Sequence, residues 1–140
     1  MTDDGERPGP LDWAGLVVLA ACGALAGLLE TLYIPLYAGA VLVPVSVVLA
    51  VLTNIALPRL ARTLVPHTAA AAVPFVLWLA VVVVFGLVAR PEGDVVLPGS
   101  PATLQLVIYG VVLGGAIAGV ATLVLMAPPP ASRKDRRVSR

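Results

Sequence analysis

Charged residues in this 140-residue chain gather at its two ends and in short clusters, and they leave four long apolar segments between them. The uncharged stretches run from Asp12 to Glu30, from Glu30 to Arg59, from Arg62 to Arg90, and from Asp94 to Arg133. A helix that crosses the hydrocarbon core of a bilayer needs roughly 20 apolar residues. The spacing therefore predicts four transmembrane helices, at about 12–32, 38–57, 68–89 and 102–127.

The apolar segments predict helices rather than strands, although valine is abundant. An open sheet in lipid leaves backbone groups unpaired, and each unpaired group costs several kcal/mol. The segments also lack the alternation of a membrane barrel. The chain is 59% hydrophobic and 12% charged, which excludes a disordered chain, a nucleic-acid-binding domain and a disulfide scaffold. We expect an all-α polytopic membrane protein, with one four-helix transmembrane domain over 12–127.

The distribution of basic residues predicts how the helices are threaded. An acidic tail covers 1–11, and a tail that is first Pro-rich and then basic covers 128–140. Four spans put both termini on one side, which then holds eight of the nine Lys and Arg residues. Cytoplasmic loops carry this excess of positive charge, so we expect both termini in the cytoplasm and the basic tail on anionic headgroups at about 1 kcal/mol per residue. The abundance of Ala, Val, Gly and Pro, with eight Arg to one Lys, is typical of a high-GC bacterial genome. We therefore expect a multi-pass protein of a bacterial plasma (inner) membrane.

Glu30 is the acidic residue that departs from this segregation. A carboxylate costs about 2.5–3.5 kcal/mol at the bilayer centre and less near the interface. Glu30 follows Gly27 by three residues and Gly23 by seven, so all three share one helical face, and we expect Glu30 to point towards a neighbouring helix. Two interpretations stay open: a carboxylate that binds a proton or cation, or an outer-interface residue that caps the helix and contacts headgroup water.

Gln105 and Tyr109 enter the fourth predicted helix at a similar outer depth. Both fall on one face of that helix, so they could form a small polar cluster with Glu30. In the alternative interpretation, each polar group bonds to nearby backbone.

Glycines spaced four apart predict close helix packing. The pairs are Gly23 with Gly27, Gly110 with Gly114, and Gly115 with Gly119. Small residues at this spacing let helix backbones approach each other. The fourth helix has two such faces, and we expect one to pack inside the bundle and the other against a partner or a second copy.

Other reactive side chains give weaker signals. The sequence LAACG at 19–23 matches the pattern before a lipidated cysteine, but the acidic region before it and the apolar residues after it argue against a signal peptide. We therefore expect Cys22 to be buried and inert. His67 has no carboxylate or cysteine nearby in sequence and is interpreted as a loop residue. Thr53 and Asn54 are expected to hydrogen-bond to a neighbouring helix. No enzyme motif, metal ligand set or cofactor motif is found.

Two families resemble this chain. Four short helices with a carboxylate in the first, here Glu30, are similar to small multidrug-resistance transporters, which implies proton-coupled transport by a dimer. The chain departs from that family in having Glu30 near the outer end of its helix, 5% aromatic residues and a long basic tail. The composition and the turn YIPLYAG at 33–39 resemble small four-helix integral membrane proteins of actinobacteria, which implies no particular activity.

These observations predict a non-enzymatic protein. The first expectation is a structural or accessory subunit that packs through its Gly-rich helices against itself, as a homo-oligomer, or against a larger membrane complex. The alternative is a small proton-coupled transporter of multidrug type that uses Glu30 as a dimer. A third is a protein that handles lipids or envelope precursors.

Overall fold

A computed structural model describes residues 8–34, 36–38, 41–87 and 102–127. These residues form α1 (Pro10–Leu32), β1 (Tyr37–Ala38), β2 (Val41–Leu42), α2 (Val45–Leu64), α3 (Thr68–Leu87) and α4 (Ala102–Met126). By length and composition, each of the four helices could cross a membrane, so the predicted all-α architecture with four spanning-length helices is confirmed. The charged tails and the loop that carries Arg90 lie outside the described residues.

The start of α1 is defined by a local hydrogen bond. The backbone N–H of Gly9 donates to the Asp12 carboxylate at 2.8 Å, and Pro10 occupies the first helical turn. Proline is suited to this position because its missing N–H would have no acceptor within the helix. The negative charge of Asp12 also lies at the positive end of the helix dipole. The helix therefore begins two residues before the predicted residue 12.

Helix α2 lies seven residues further along the chain than the predicted 38–57. The strands β1 and β2 pair antiparallel, with Tyr37 opposite Leu42, and this hairpin takes up residues assigned to the helix. At the other end, Pro58 lies inside α2 and does not end it. Proline breaks helices in water because it removes a backbone hydrogen bond, but neighbouring helices make it tolerable in transmembrane helices. Pro58 is fully buried among such neighbours.

Helices α3 and α4 follow their predicted ranges closely. Helix α3 is described as far as Leu87, so the predicted residues 88 and 89 lie outside the described residues, and α4 ends at Met126 instead of 127. Val65, Pro66 and His67 form the short connection between α2 and α3, in which the His67 N–H donates to the Val65 carbonyl at 2.7 Å. A connection of this length makes α2 and α3 antiparallel neighbours.

Helices α1 and α3 run in the same direction and approach each other closely. A Cβ atom on Gly23 would lie 3.2 Å from the Cα atom of Pro74, and one on Gly27 would lie 2.9 Å from the carbonyl oxygen of Trp78. Both positions meet backbone, so only glycine allows this approach. Helix α1 also packs against α2, whereas α4 packs against α2 and α3. Helices α1 and α4 thus flank the α2–α3 pair.

Large apolar side chains cover the outside of the bundle. On α4 alone, Leu106, Leu113, Ile117, Val124 and Leu125 are exposed. A soluble monomer rarely exposes an apolar surface of this extent, whereas a helix in lipid gains from it. The interior is built around Phe75 and Trp78 of α3, with smaller residues of the other helices packed against them.

Candidate functional site

The carboxylate of Glu30 is buried between three helices. Glu30 lies in the last turn of α1, and only 2% of its surface is exposed. It shares the buried face of α1 with Gly23 and Gly27. The prediction that these three residues point towards a neighbouring helix is therefore confirmed.

Two hydrogen-bond donors from different helices hold the carboxylate. The indole Nε1–H of Trp78 in α3 donates to Oε2 of Glu30 at 2.6 Å. The hydroxyl of Thr53 in α2 donates to Oε1 at 3.1 Å. An ionised carboxylate only accepts hydrogen bonds, and a bond to a charged group is shorter and stronger than a neutral one. The site therefore joins α1, α2 and α3 through one acidic side chain.

The site lies at the middle of two helices, although Glu30 is near the end of its own. Thr53 is eight residues after the start of α2 at Val45 and eleven before its end at Leu64. At about 1.5 Å per residue, these distances are roughly 12 and 16 Å along the helix. Trp78 is ten residues after Thr68, where α3 begins. Glu30 is therefore level with the middle of α2 and α3, because α1 ends where these two helices continue.

The interfacial interpretation proposed that Glu30 caps the end of α1, but it does not. The end of α1 is closed by the backbone N–H of Tyr33, which donates to the Leu29 carbonyl at 2.9 Å. The basic side chains described in α2 are Arg59 and Arg62, in its last two turns. Arg59 is six residues beyond Thr53, about 9 Å along the helix, and is exposed. Neutral donors thus replace the cation that a buried carboxylate usually has.

Trp78 connects the carboxylate to the far side of the bundle. The residue is fully buried, and its six-membered ring lies against Gly115 of α4. Phe75 stacks beside it, with ring centroids 6.2 Å apart and an angle of 16° between the planes. Trp78 was not predicted as a site residue. A signal was present, because a buried indole N–H needs an acceptor, and the side chains at 69–89 around it offer none.

The predicted cluster of Glu30 with Gln105 and Tyr109 is not formed. Gln105 is exposed, and 60% of the Tyr109 surface is exposed on the outer face of α4. The inner face of α4 carries Val107 and Val111 instead. Helix α4 packs on α2 and α3, on the opposite side from α1, so its polar residues lie away from Glu30.

All the predicted glycine pairs pack inside the bundle. The contacts of α4 are Gly110 with Val47, Gly114 with Val51, Gly115 with Trp78, and Gly119 with Phe75. One glycine face thus receives the valines of α2, and the other receives the two aromatic rings of α3. The expectation that one face stays free for a partner or a second copy is wrong, because the rings of α3 require the space that glycine leaves.

The remaining polar residues differ in their hydrogen-bond partners and in their exposure. Thr53 bonds across to another helix, as expected, whereas the Asn54 amide donates to the Ala50 carbonyl of its own helix at 2.9 Å. Both lie at mid-helix because α2 ends later than predicted. Ser46 is fully buried, and its hydroxyl has no hydrogen-bond partner among the described residues. His67 is exposed in the connection before α3.

A groove on the surface between α1 and α2 reaches Thr53. Its volume is about 350 Å³, and its lining consists of Cys22, Ala26, Leu52, Thr53, Ala56 and Leu57. Cys22 is exposed in this groove, in contrast to the expected buried cysteine, because the face of α1 next to its glycines points outward here. A second groove of about 350 Å³ continues along the same two helices beside Gly15 and Leu64.

Comparison with protein-family models, with curated proteins and with solved structures found no match to this chain. The geometry around Glu30 is therefore the basis for assigning a function. Among the described residues, no group of three or more His, Cys, Asp or Glu side chains could hold a metal ion.

Proposed function

We propose that this chain is a small proton-coupled transporter and a multi-pass protein of a bacterial plasma membrane. In this proposal, Glu30 is the side chain that binds and releases the transported proton. The observation that carries this proposal is the Glu30 carboxylate itself, 2% exposed and held by two neutral donors at the middle of α2 and α3. A buried ionisable group is expensive in a membrane and is found mainly where function needs it.

The hydrogen bonds at the site accommodate both protonation states. The Trp78 indole is a donor only, so it can bond to Oε2 of Glu30 whether the carboxyl group is charged or neutral. The Thr53 hydroxyl is both donor and acceptor. It donates to Oε1 in the charged form and can accept from a protonated Oε1 after rotating. Proton binding therefore leaves no buried polar atom of this trio unpaired.

Transport would require a second copy of the chain. The centre of the bundle is filled by Phe75, Trp78 and the residues packed around them, and the grooves described above open outward between α1 and α2. A homodimer that places these grooves together would enclose a larger volume beside Glu30. We propose cytoplasmic termini for each copy, which the basic residues at the end of α2 support through the positive-inside rule.

The direct test is whether Glu30 exchanges a proton in lipid. Infrared difference spectra between acid and neutral pH should show a protonated carboxyl band for the wild type in vesicles. Glu30→Gln should lose that band. Asp12→Asn, which removes the carboxylate at the start of α1, should retain it. A set of carboxyl bands that is identical in wild type and Glu30→Gln would contradict the proposal.

Coupling to transport requires a second measurement. Vesicles with an internal pH dye can be given a gradient of ethidium or tetraphenylphosphonium, which are probes of multidrug-type transport. We expect proton movement in the wild type, partial movement in Glu30→Asp and none in Glu30→Gln. A proton-exchanging Glu30 without any solute-dependent movement would limit the proposal to proton binding.

The alternative is the structural or accessory subunit. The two grooves along α1 and α2 favour it, because they could receive a helix of another membrane protein. Purification in mild detergent followed by mass spectrometry separates the two functions. A different membrane protein at equal stoichiometry would support the accessory subunit, and copies of this chain alone would support the transporter.

A further inference from the structure

The carboxylate of Glu30 is enclosed, so a proton can reach it only through a neighbouring group. Its two hydrogen-bond partners differ in this respect. Trp78 is fully buried between Gly27 and Gly115, and its indole nitrogen has a hydrogen but no free lone pair to accept another. Trp78 therefore cannot pass a proton to or from Oε2.

Thr53 has both properties that Trp78 lacks. Its hydroxyl can donate and accept at the same time, and it lies 3.1 Å from Oε1 of Glu30. Thr53 also lines the groove between α1 and α2, whereas Glu30 is not part of the groove lining. The groove volume of about 350 Å³ exceeds the roughly 30 Å³ that one water molecule occupies in the liquid. Water also needs polar partners, and in this mostly apolar lining the Thr53 hydroxyl is the group that offers both a donor and an acceptor.

We propose that Thr53 is the relay through which protons reach and leave Glu30 from the groove between α1 and α2. In the uptake step, a hydronium ion in the volume that two copies of the chain enclose between their grooves gives a proton to a lone pair of the Thr53 oxygen. The hydroxyl hydrogen already bonded to Glu30 passes to Oε1 at the same time. Thr53 is unchanged, water remains in the groove, and release is the reverse. This inference rests on the proposed proton binding by Glu30.

The test measures how fast Glu30 exchanges its proton, separately from how strongly it holds it. A Trp13→Phe background leaves Trp78 as the single tryptophan of the chain, and its fluorescence reports on the carboxyl group that it contacts. Stopped-flow pH jumps in both directions on the full chain in detergent give the rates of proton uptake and release. Glu30→Gln should abolish the signal, which assigns it.

Thr53→Val has nearly the shape of threonine but no hydroxyl. If Thr53 is the relay, both rates fall together by about tenfold or more, and Thr53→Ser restores them. If Thr53 only stabilises the charged carboxylate, its loss changes the ratio of the two rates, and hence the pH midpoint, without slowing both. The second result would overturn the proposal.

A pair of variants that leaves the hydrogen bond intact tests the groove itself. Ala56 is exposed in the groove wall, so Ala56→Phe should narrow the groove and slow exchange in both directions. Ala121 is an exposed alanine of α4, and Ala121→Phe should have no effect. Unchanged rates of proton uptake and release in Ala56→Phe would refute access through the groove. This result can be obtained even if Thr53→Val does not fold. The absence of any Glu30-dependent signal in the wild type would instead refute the proposed function.

Discussion

The contact between α1 and α3 predicts that two glycines of the chain respond oppositely to alanine. A Cβ atom at Gly23 would lie 3.0 Å from the carbonyl carbon and 3.2 Å from the Cα of Pro74, and closer still to its carbonyl oxygen. These atoms are backbone and cannot rotate away. In Gly114→Ala the new atom would lie 3.4 and 3.8 Å from methyl groups of Val51 and Val47, which is ordinary contact.

The two substitutions share one energy term and differ in the other. Replacing a helical glycine by alanine gains up to about 1 kcal/mol in helix propensity at either position. Overpacking at Gly23 costs about 1–3 kcal/mol, because α1 must move away from α3. The difference between the two free energies of unfolding cancels the shared term. We therefore expect Gly23→Ala to be less stable than Gly114→Ala by about 1–3 kcal/mol.

The measurement is reversible unfolding by SDS in mixed micelles, followed by tryptophan fluorescence. Gly114→Ala should unfold at the same SDS fraction as the wild type or a higher one, and Gly23→Ala at a lower one. Equal midpoints for the two variants would refute the close backbone contact between α1 and α3. A midpoint for Gly114→Ala below that of the wild type would refute the ordinary contact described between Gly114 and the valines of α2.

Three further predictions concern the polar residues. Trp78→Phe removes the donor to Oε2 of Glu30, and we expect a loss of about 1.5–3 kcal/mol, the range for a hydrogen bond to a charged group. Because this variant lacks the buried tryptophan, its unfolding in SDS and that of the wild type are followed by circular dichroism. A loss near zero would mean that the bond does not form. Ser46→Ala removes a buried hydroxyl that has no described partner, so it should be neutral or stabilise by up to about 1–3 kcal/mol, and clear destabilisation would indicate a missing partner. Tyr109→Phe should change neither the unfolding midpoint nor the Glu30 carboxyl band, since the ring faces outward, and a shifted band would place Tyr109 near the site.

The number of helices and their approximate lengths could be predicted because they depend on the lengths of apolar segments alone. The position of α2 could not, since it depends on whether a proline ends a helix. In water Pro58 would end it, but in a bundle its neighbours compensate for the lost hydrogen bond. The hairpin at Tyr37–Leu42 adds to the shift, because its six-residue pattern is as apolar as the helix that follows it.

Part of the candidate site could also be predicted from local sequence, and part depends on how the helices pack. The orientation of Glu30 could be predicted from Gly23 and Gly27, because residues three and seven apart share a face of any α-helix. The rotation of α4 could not, since that helix is apolar on all sides and its sequence does not distinguish an inner face. Tyr109 was therefore assigned to a cluster with Glu30 that the fold does not form, because its ring is exposed on the outer face of α4.

Both hydrogen-bond donors of Glu30 are synthesised after Glu30 itself. Thr53 and Trp78 follow Glu30 by 23 and 48 residues. At about 5–20 residues per second, a ribosome needs roughly 2–10 s to synthesise the chain between Glu30 and Trp78. During that interval Glu30 of α1 lacks both of its hydrogen-bond donors. The neutral form of a carboxyl group is the less costly one to hold in hydrocarbon, so a first helix that enters a bilayer before the third would do so with Glu30 protonated.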